Sequence, residues 1–287
     1  MQNMSTAPDI PRSKAKGAVR VQEAYRTILV HVESSSASDH RLAAVVDLAL
    51  RYSAKVIGVG GCAPLYLDDI VAIDNTMIRD QECADLKDAE AHFYQITRPL
   101  GPGATWRSGV GDPCETMAQW SSGADLVVTS RSHGRRASTV NASDIILAAG
   151  LPVLVLPLGA TIIAQKRLVI GWKNTRETRR AVTDALPLLM GAESVSIVAV
   201  CADDGLAVNG LDAIIDRLGQ HGVVANSHVI RKHSDDHAAD LVEFAHADDA
   251  DMIVAGAYGH PRVLEWCWGG ATAELLQTSP FAVLFSH

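Results

Sequence analysis

Short apolar runs alternate with amphipathic stretches along most of the chain. The first run, Thr27–Val32, is continuous, rich in β-branched residues and of strand length. Apolar residues then recur at helical spacing over Leu42–Leu50, after candidate helix N-caps at Ser38 and Asp39. A second apolar run, Lys55–Val59, follows. Strand, helix and strand with short connections predict a βαβ unit with parallel strands and a right-handed crossover.

The same alternation continues to the middle of the chain, after an irregular stretch from Gly60 to Ile78. The predicted helices are Asp80–Thr97, a helix that runs through Trp120 from the turn Gly111-Asp112-Pro113, and Ser143–Ala149. The predicted strands are Ala104–Arg107, Leu126–Thr129 and Pro152–Leu156. The first half therefore reads as five strands alternating with four helices.

The order of elements then repeats. Leu168–Trp172 corresponds to the first strand, Thr175–Leu186 to the first helix, and Asp251–Phe285 parallels Asp125–Leu156. The other predicted elements are the strands Val195–Val200 and Ser227–Arg231 and the helices Leu211–His221 and Asp235–Ala247. A repeat of about 140 residues is too long for a solenoid unit, so it predicts two copies of one domain.

The predicted fold class is α/β, with two tandem, doubly wound, five-stranded parallel-sheet domains of Rossmann-like type. The predicted domains are residues 25–158 and 166–287, preceded by a flexible polar arm at residues 1–24 and joined by the linker Pro157–Gln165. Parallel sheets are covered on both faces, which explains the solidly apolar strands. Ligands of such sheets bind beyond the strand carboxyl ends, where the loops after Trp172, Val200 and Ala255 converge.

Two glycine sites bracket the loop that follows the strand Met252–Ala255. They are Gly256-x-x-Gly259 and, just before a predicted helix, Gly269-Gly270. Backbone without side chains near a helix N-terminus suits an anion such as phosphate, although glycines in loops more often only make turns. The candidate ligand-binding residues are Trp172, Lys173, Val200, Gly256, Ala257, Gly259, Gly269, Gly270, Ala271 and Thr272.

Together, the repeat and the G-x2-G-x9-G pattern at Gly256, Gly259 and Gly269 resemble the universal stress protein family in its tandem two-domain form. The resemblance covers nearly the whole chain from about Arg26. It implies strand order 3-2-1-4-5, with ATP or another adenine nucleotide held on the glycine loop. It also implies that Val153–Leu156 pairs with Val283–Phe285 within the chain.

The chain departs from the family pattern at two of the candidate residues. Gly270 stands where Ser or Thr usually follows the third glycine, and Thr272 is the nearest substitute hydroxyl. The first strand of binding members often ends in an acidic residue, whereas here it runs into Trp172-Lys173-Asn174. Lys173 either meets phosphate or lies on the surface.

The first half lacks the glycine signature. Ser130, His133 and Asn141 stand where Gly256, Gly259 and Gly269 stand in the second half. Side chains at these positions keep phosphate from approaching the backbone in the same way. The nucleotide is therefore expected in the C-terminal domain.

Charge and cysteine content narrow the classes of partner. The 25 Lys and Arg residues against 33 Asp and Glu give a net charge of −8, which argues against nucleic acid and anionic membranes. No apolar run approaches the length of a bilayer span, and the N-terminal residues do not read as a secretory signal. Five scattered cysteines without a C-x-x-C pair favour reduced thiols and a cytoplasmic location.

Several other patterns have a simpler interpretation than a functional site. Gly58-Val59-Gly60-Gly61 resembles part of a dinucleotide fingerprint but reads better as a turn. His233 and His237 have metal-ligand spacing without a third ligand, so solvated polar residues are the better interpretation. His31, His133 and His260 lack a visible nucleophile or carboxylate partner, Arg135-Arg136 reads as surface, and burial is the favoured role for Trp266-Cys267-Trp268. No catalytic and no metal-ligating residue is therefore predicted.

The leading hypothesis is a cytoplasmic tandem universal stress protein that binds an adenine nucleotide in its second domain. It would act through conformation and partners, with slow ATP hydrolysis at most. The alternative is a stress-related interaction protein in which both clefts are vestigial. An unidentified protein partner and a homodimer are compatible with both hypotheses.

Overall fold

The computed structural model describes residues 24–62, 75–131, 139–201, 210–231, 237–259 and 270–287. Its strands are β1 (Thr27–His31), β2 (Lys55–Cys62), β3 (Ala104–Val110), β4 (Leu126–Ser130), β5 (Val153–Leu156), β6 (Arg167–Gly171), β7 (Ser194–Cys201), β8 (Ala225–Arg231), β9 (Met252–Gly256) and β10 (Ala282–Ser286). Its helices are α1 (Ser36–Tyr52), α2 (Asn75–Ile96), α3 (Pro113–Ser121), α4 (Ala142–Ala148), α5 (Arg176–Asp184), α6 (Leu186–Met190), α7 (Leu211–Gln220), α8 (His237–Ala247) and α9 (Gly270–Thr278), with a 3-10 segment at Arg98–Gly103.

All ten strands form one sheet, in the order β3-β2-β1-β4-β5-β10-β9-β6-β7-β8. Within each half the strands are parallel and follow the order 3-2-1-4-5, so the predicted doubly wound α/β fold is confirmed. The connections cross over through helices, as parallel strands require. The two predicted sheets are thus joined edge to edge.

The junction between the halves is the pair β5 and β10, which are antiparallel. Val283 lies opposite Val155, Leu284 opposite Leu154, and Phe285 opposite Val153. Because this is the sheet's antiparallel contact between two parallel halves, the carboxyl ends of the strands point in opposite directions in the two halves. Any ligand sites at those carboxyl ends, here called the edge of each half, therefore lie at opposite ends of the strands.

Helices cover both faces of the sheet and bury a core on each. One core includes Leu42, Phe93 and Val182 from α1, α2 and α5, packed on alternate strand residues such as Ile28. The other includes Met117, Ile145 and Leu275 from α3, α4 and α9, packed on the intervening residues such as Leu29. This alternation, with both faces buried, accounts for the continuously apolar strands. No helix in the described ranges is long and apolar enough to cross a membrane.

Two local predictions are corrected by the structure. The N-cap of α1 is Ser35, whose hydroxyl accepts a hydrogen bond from the Ser38 backbone N–H at 3.2 Å; Ser38 and Asp39 lie inside the helix. Gly58-Val59-Gly60-Gly61 is neither a turn nor a fingerprint but part of strand β2. A Cβ on Gly58 would lie 2.5 Å from the Phe93 ring, so the glycine makes room for the helix that covers the strand.

The predicted helix Thr175–Leu186 corresponds to α5, and a second short helix follows it directly. Helix α5 ends at Asp184, and α6 begins at Leu186 with Pro187 in its first turn. Proline suits a helix start because it has no backbone N–H to leave unpaired. The predicted helix therefore begins and ends within two residues of α5, and α6 is an additional element that the sequence pattern did not predict.

The segment between the halves packs against both of them. Ile163 is buried, and its carbonyl accepts a 2.6 Å hydrogen bond from the Arg51 guanidinium of α1. The neighbouring Tyr52 hydroxyl donates to the Pro187 carbonyl at 2.9 Å, and the Tyr25 hydroxyl donates to the Asp184 carbonyl at 2.7 Å. The first half is therefore bonded to the second through side chains as well as through the sheet.

Candidate functional site

The carboxyl ends of β6, β7 and β9 meet at one edge of the second half. β6 lies between β7 and β9 and is parallel to both, so residues that follow these strands are brought together. Trp172 follows β6, Val200 lies near the end of β7, and Gly256 ends β9. The helix after β6, α5, covers one face of the sheet and the helix after β9, α9, covers the other, which makes the junction of β6 and β9 the topological switch point.

Trp172 and Lys173 differ in exposure. Trp172 is buried, and its backbone N–H donates to the Val198 carbonyl at 2.7 Å. Its indole lies close to Gly210, where an added Cβ would come within 3.5 Å of the ring. Lys173 is exposed, and partial burial of its ammonium lowers its pKa. Trp172 thus packs into the core at this edge, whereas Lys173 is exposed to solvent.

Residues 256–259, here called the glycine segment, lead the chain out of β9. The Ala257 N–H donates to the Ser286 carbonyl at 2.9 Å, and the Ala257 carbonyl lies 3.1 Å from Nδ1 of His287. Tyr258 has a left-handed φ of 52°, which few residues other than glycine adopt without cost. Both backbone polar groups of Ala257 are therefore engaged within the protein, and the chain turns sharply after it.

Both glycines of this segment lie against the first turn of α5. A Cβ on Gly256 would lie 2.6 Å from the backbone nitrogen of Thr178, and a Cβ on Gly259 would lie 2.7 Å from Oε2 of Glu177. Real Cβ atoms do not approach other atoms so closely, and at Gly256 the neighbour is backbone, which cannot turn away. Close packing on α5 is therefore a sufficient reason for glycine at position 256, whereas at position 259 the end of the Glu177 side chain would have to shift.

Glu177 is a residue of this edge that the sequence pattern did not single out. Its side chain is only 2% exposed, and its Oε1 pairs with the guanidinium of Arg176, which is 80% exposed. Burial raises the pKa of Glu177, but hydrogen bonds from Arg176, its own backbone N–H and Thr175 outweigh burial and leave the pKa below its usual value. The carboxylate beside Gly259 is therefore charged at neutral pH. Its position two residues after the N-cap Thr175 was the available signal.

The remaining predicted positions lie at the far end of the loop. Gly269 is outside the described residues, and Gly270 is the first residue of α9. Ala271 is half-buried and Thr272 is buried, with 8% of its surface exposed. The structure therefore places Trp172, Lys173, Val200 and the glycine segment at one edge, with α9 starting after the part of the loop that is not described.

The corresponding edge of the first half is built differently. Ser130 ends β4 as a buried residue, and the Asn141 side chain caps α4 by accepting from the Ser143 N–H at 3.0 Å. Glu33 follows β1 at the position that Lys173 takes after β6. The second half thus has the glycines, whereas the first half has the acidic residue after its first strand.

Beneath Glu33 lies a buried cation. The Arg41 side chain is 2% exposed, donates from Nε to the His31 carbonyl at 2.8 Å, and lies 4.0 Å from Oε1 of Glu33. Burial lowers the pKa of Arg41 to about 10, an effect that the Glu33 carboxylate opposes. Arg41 Nη2 also lies 3.3 Å from Nδ1 of the His31 ring. Because a guanidinium only donates hydrogen bonds, Nδ1 is the acceptor in this contact. His31 is thus part of the packing below the edge.

Several sequence candidates lie outside the described residues, namely His133, Arg135, Arg136, His233, His260 and the segment Trp266-Cys267-Trp268. His237 is the first residue of α8, and the structure describes only its backbone. Within the described part of the chain, no three His, Cys, Asp or Glu side chains are grouped as a metal site would need.

Comparison with solved structures places the fold. A universal stress protein from Archaeoglobus fulgidus matches with a TM-score of 0.72 at 15% sequence identity, covering 94% of this chain and 98% of that chain. A functionally unknown protein from Pseudomonas aeruginosa matches with a TM-score of 0.61 at 15% identity, covering 92% of this chain and 93% of that chain. No family model and no curated protein matches the chain.

The chain therefore has the universal stress protein fold over nearly its whole length, as the resemblance predicted. At 15% identity this likeness establishes the fold alone. The ligand and the mode of action depend on the residues at the two edges.

Proposed function

We propose that this chain, which has the universal stress protein fold along its length, is a tandem stress-response protein that binds an adenine nucleotide in its second half. The nucleotide would lie at the carboxyl edge of β6, β7 and β9, and the protein would act in the cytoplasm through conformation and partners. Hydrolysis of ATP is not part of the proposal, because none of the described residues at this edge forms an acid–base pair or a metal site.

The observation that carries the proposal is the position of the glycine segment at the switch point. Residues 256–259 leave β9 beside the ends of β6 and β10, and Gly259 is exposed. Sheets of this topology bind their ligands at this place.

A second candidate function, an interaction protein without nucleotide, is favoured by the contacts of the same segment. Ala257 uses both backbone polar groups within the protein, Gly256 packs on Thr178, and Glu177 places a carboxylate beside Gly259. These contacts explain the glycines without a ligand. The two candidates therefore differ in whether anything binds at this edge.

Denaturation of the purified protein followed by nucleotide analysis of the supernatant tests the proposal directly, together with calorimetric titration of adenosine, AMP and ATP. We expect at least one of the three to bind. Absence of released nucleotide and of binding at millimolar ligand would contradict the proposal and leave the interaction protein.

Two variants locate the site. Gly259→Ala adds a Cβ that would lie 2.7 Å from Oε2 of Glu177, so we expect it to weaken binding. Gly219→Ala is the matched control, because a Cβ at Gly219 meets nothing within 4 Å and the residue lies in α7 of the same half. Equal loss of binding in both variants would place the ligand elsewhere.

A further inference from the structure

The first turn of α5 forms a wall of the proposed nucleotide site. Its backbone contacts Gly256 at Thr178, and its Glu177 side chain reaches Gly259. The space directly beside the glycine segment on this side is thus filled by protein atoms. The atom closest to the Gly259 Cβ position is a carboxylate oxygen, Oε2 of Glu177, at 2.7 Å.

This carboxylate is a fixed negative charge at the place where a nucleotide's phosphates would approach the glycine backbone. It is held by Arg176 on its Oε1 side, and the pair is asymmetric: Arg176 is 80% exposed while Glu177 is 2% exposed. The guanidinium therefore extends toward solvent, and the negative end of the pair faces the glycine segment. A phosphate bound at the Gly259 backbone would therefore lie close to the buried carboxylate, whose charge is offset only by the exposed Arg176.

The helix terminus that could attract phosphate is also compensated. Glu177 lies in the first turn of α5, where a carboxylate interacts favourably with the exposed N–H groups and the helix dipole. In the first half, the residue two positions after the N-cap Ser35 is Ala37. The internal carboxylate is therefore a feature of the second half, which is also the half with the glycine segment.

We infer that Glu177 is a specificity-determining residue, which makes the second-half site prefer an adenine nucleoside or nucleoside monophosphate over a nucleoside triphosphate. This inference rests on the proposed function, because it specifies the ligand of the same site. A like charge at close range disfavours binding of a polyanion and leaves an uncharged nucleoside unaffected. Selectivity then comes from repulsion at Gly259 and not from added contacts.

Calorimetric titration of adenosine, AMP and ATP in EDTA into the wild-type protein is the first test. We expect adenosine to bind about tenfold or more tightly than ATP, with AMP closer to adenosine. ATP binding as tightly as adenosine would overturn the inference while leaving the proposed function intact. Failure of all three to bind would overturn the proposed function and the inference with it.

The variant Glu177→Gln tests the residue itself, since it keeps the shape of the side chain and removes its charge. We expect it to raise ATP affinity about tenfold and to change adenosine affinity less than about twofold. Arg176→Gln is the comparison: we expect it to weaken ATP binding further, because it removes the charge that offsets Glu177. Unchanged or weaker ATP binding in Glu177→Gln, with a normal circular dichroism spectrum, would overturn the inference. The wild-type ranking of ligands decides the question if the variant does not fold.

Discussion

At the scale of single residues, the glycines beside α5 have different tolerances for a side chain. Gly256→Ala would place its Cβ 2.6 Å from a backbone nitrogen, that of Thr178, which cannot turn away. We expect this variant to lose about 1–3 kcal/mol of unfolding free energy, as overpacking typically does. Urea unfolding measures the loss. Gly219→Ala serves as the control and should be neutral or stabilising by up to about 1 kcal/mol, since alanine is the better helix former.

Cys114 gives a second prediction at this scale. The thiol is 8% exposed, and burial raises its pKa to about 11. Only the thiolate reacts, so we expect alkylation of Cys114 at pH 8 to be slower by about a hundredfold in the folded protein than in urea. Peptide mapping by mass spectrometry after timed iodoacetamide treatment follows this residue separately from the other cysteines. Similar rates in both conditions would show that the thiol is accessible.

Glu177 and Gly58 show why single residues were the hardest features to predict. The sequence Thr175-Arg176-Glu177 reads as a polar helix start, and nothing in it shows that the carboxylate faces a segment about 80 residues later in the chain. Gly58 looks like part of a turn because it lies among other glycines. Its actual role, making room for the Phe93 ring, depends on a helix that is distant in the sequence. Local patterns carry no information about such contacts.

At the scale of elements, the two halves begin their first helices in the same way. Ser35 and Thr175 each cap a helix by accepting a hydrogen bond from the backbone N–H three residues later. This equivalence supports the repeat that the sequence predicted. Aligning the two N-caps also pairs Ala37 with Glu177 and Glu33 with Lys173.

The cap of α1 can be tested by substitution. We expect Ser35→Ala to cost about 1 kcal/mol of stability, because it leaves a helix N–H without its side-chain acceptor. Ser36→Ala is the control, since Ser36 is exposed in the first helical position and makes no cap. Chemical denaturation of both variants gives the comparison. A larger loss in Ser36→Ala would place the helix start elsewhere.

Elements were predictable from sequence where burial is strong and continuous. The strands were found because parallel strands buried on both faces are apolar throughout, as in β4, where all five residues are buried. Helix ends were less accurate: α6 directly follows α5, and the Pro187 carbonyl in it accepts a hydrogen bond from Tyr52 of the other half, a contact that local sequence does not show.

At the scale of the whole molecule, Tyr52 connects the halves outside the sheet. Its hydroxyl donates to the Pro187 carbonyl at 2.9 Å, and Gln165 Oε1 is 3.2 Å away. We expect Tyr52→Phe to lose about 1 kcal/mol or more, because the Pro187 carbonyl is left without this donor. Tyr94→Phe is the control, since Tyr94 is 48% exposed. Equal unfolding midpoints for the two variants would show that this contact adds nothing to the junction.

The pair β5 and β10 also determines the order of assembly during synthesis. β10 completes the centre of the sheet, yet it is translated after all the other strands. Until then, the four buried apolar residues of β5 form an unpaired edge on the finished first half. At roughly 5–20 residues per second, the ribosome needs several seconds to supply the missing strand. We therefore expect the nascent first half to expose an edge at which neighbouring chains can pair wrongly until β10 is made.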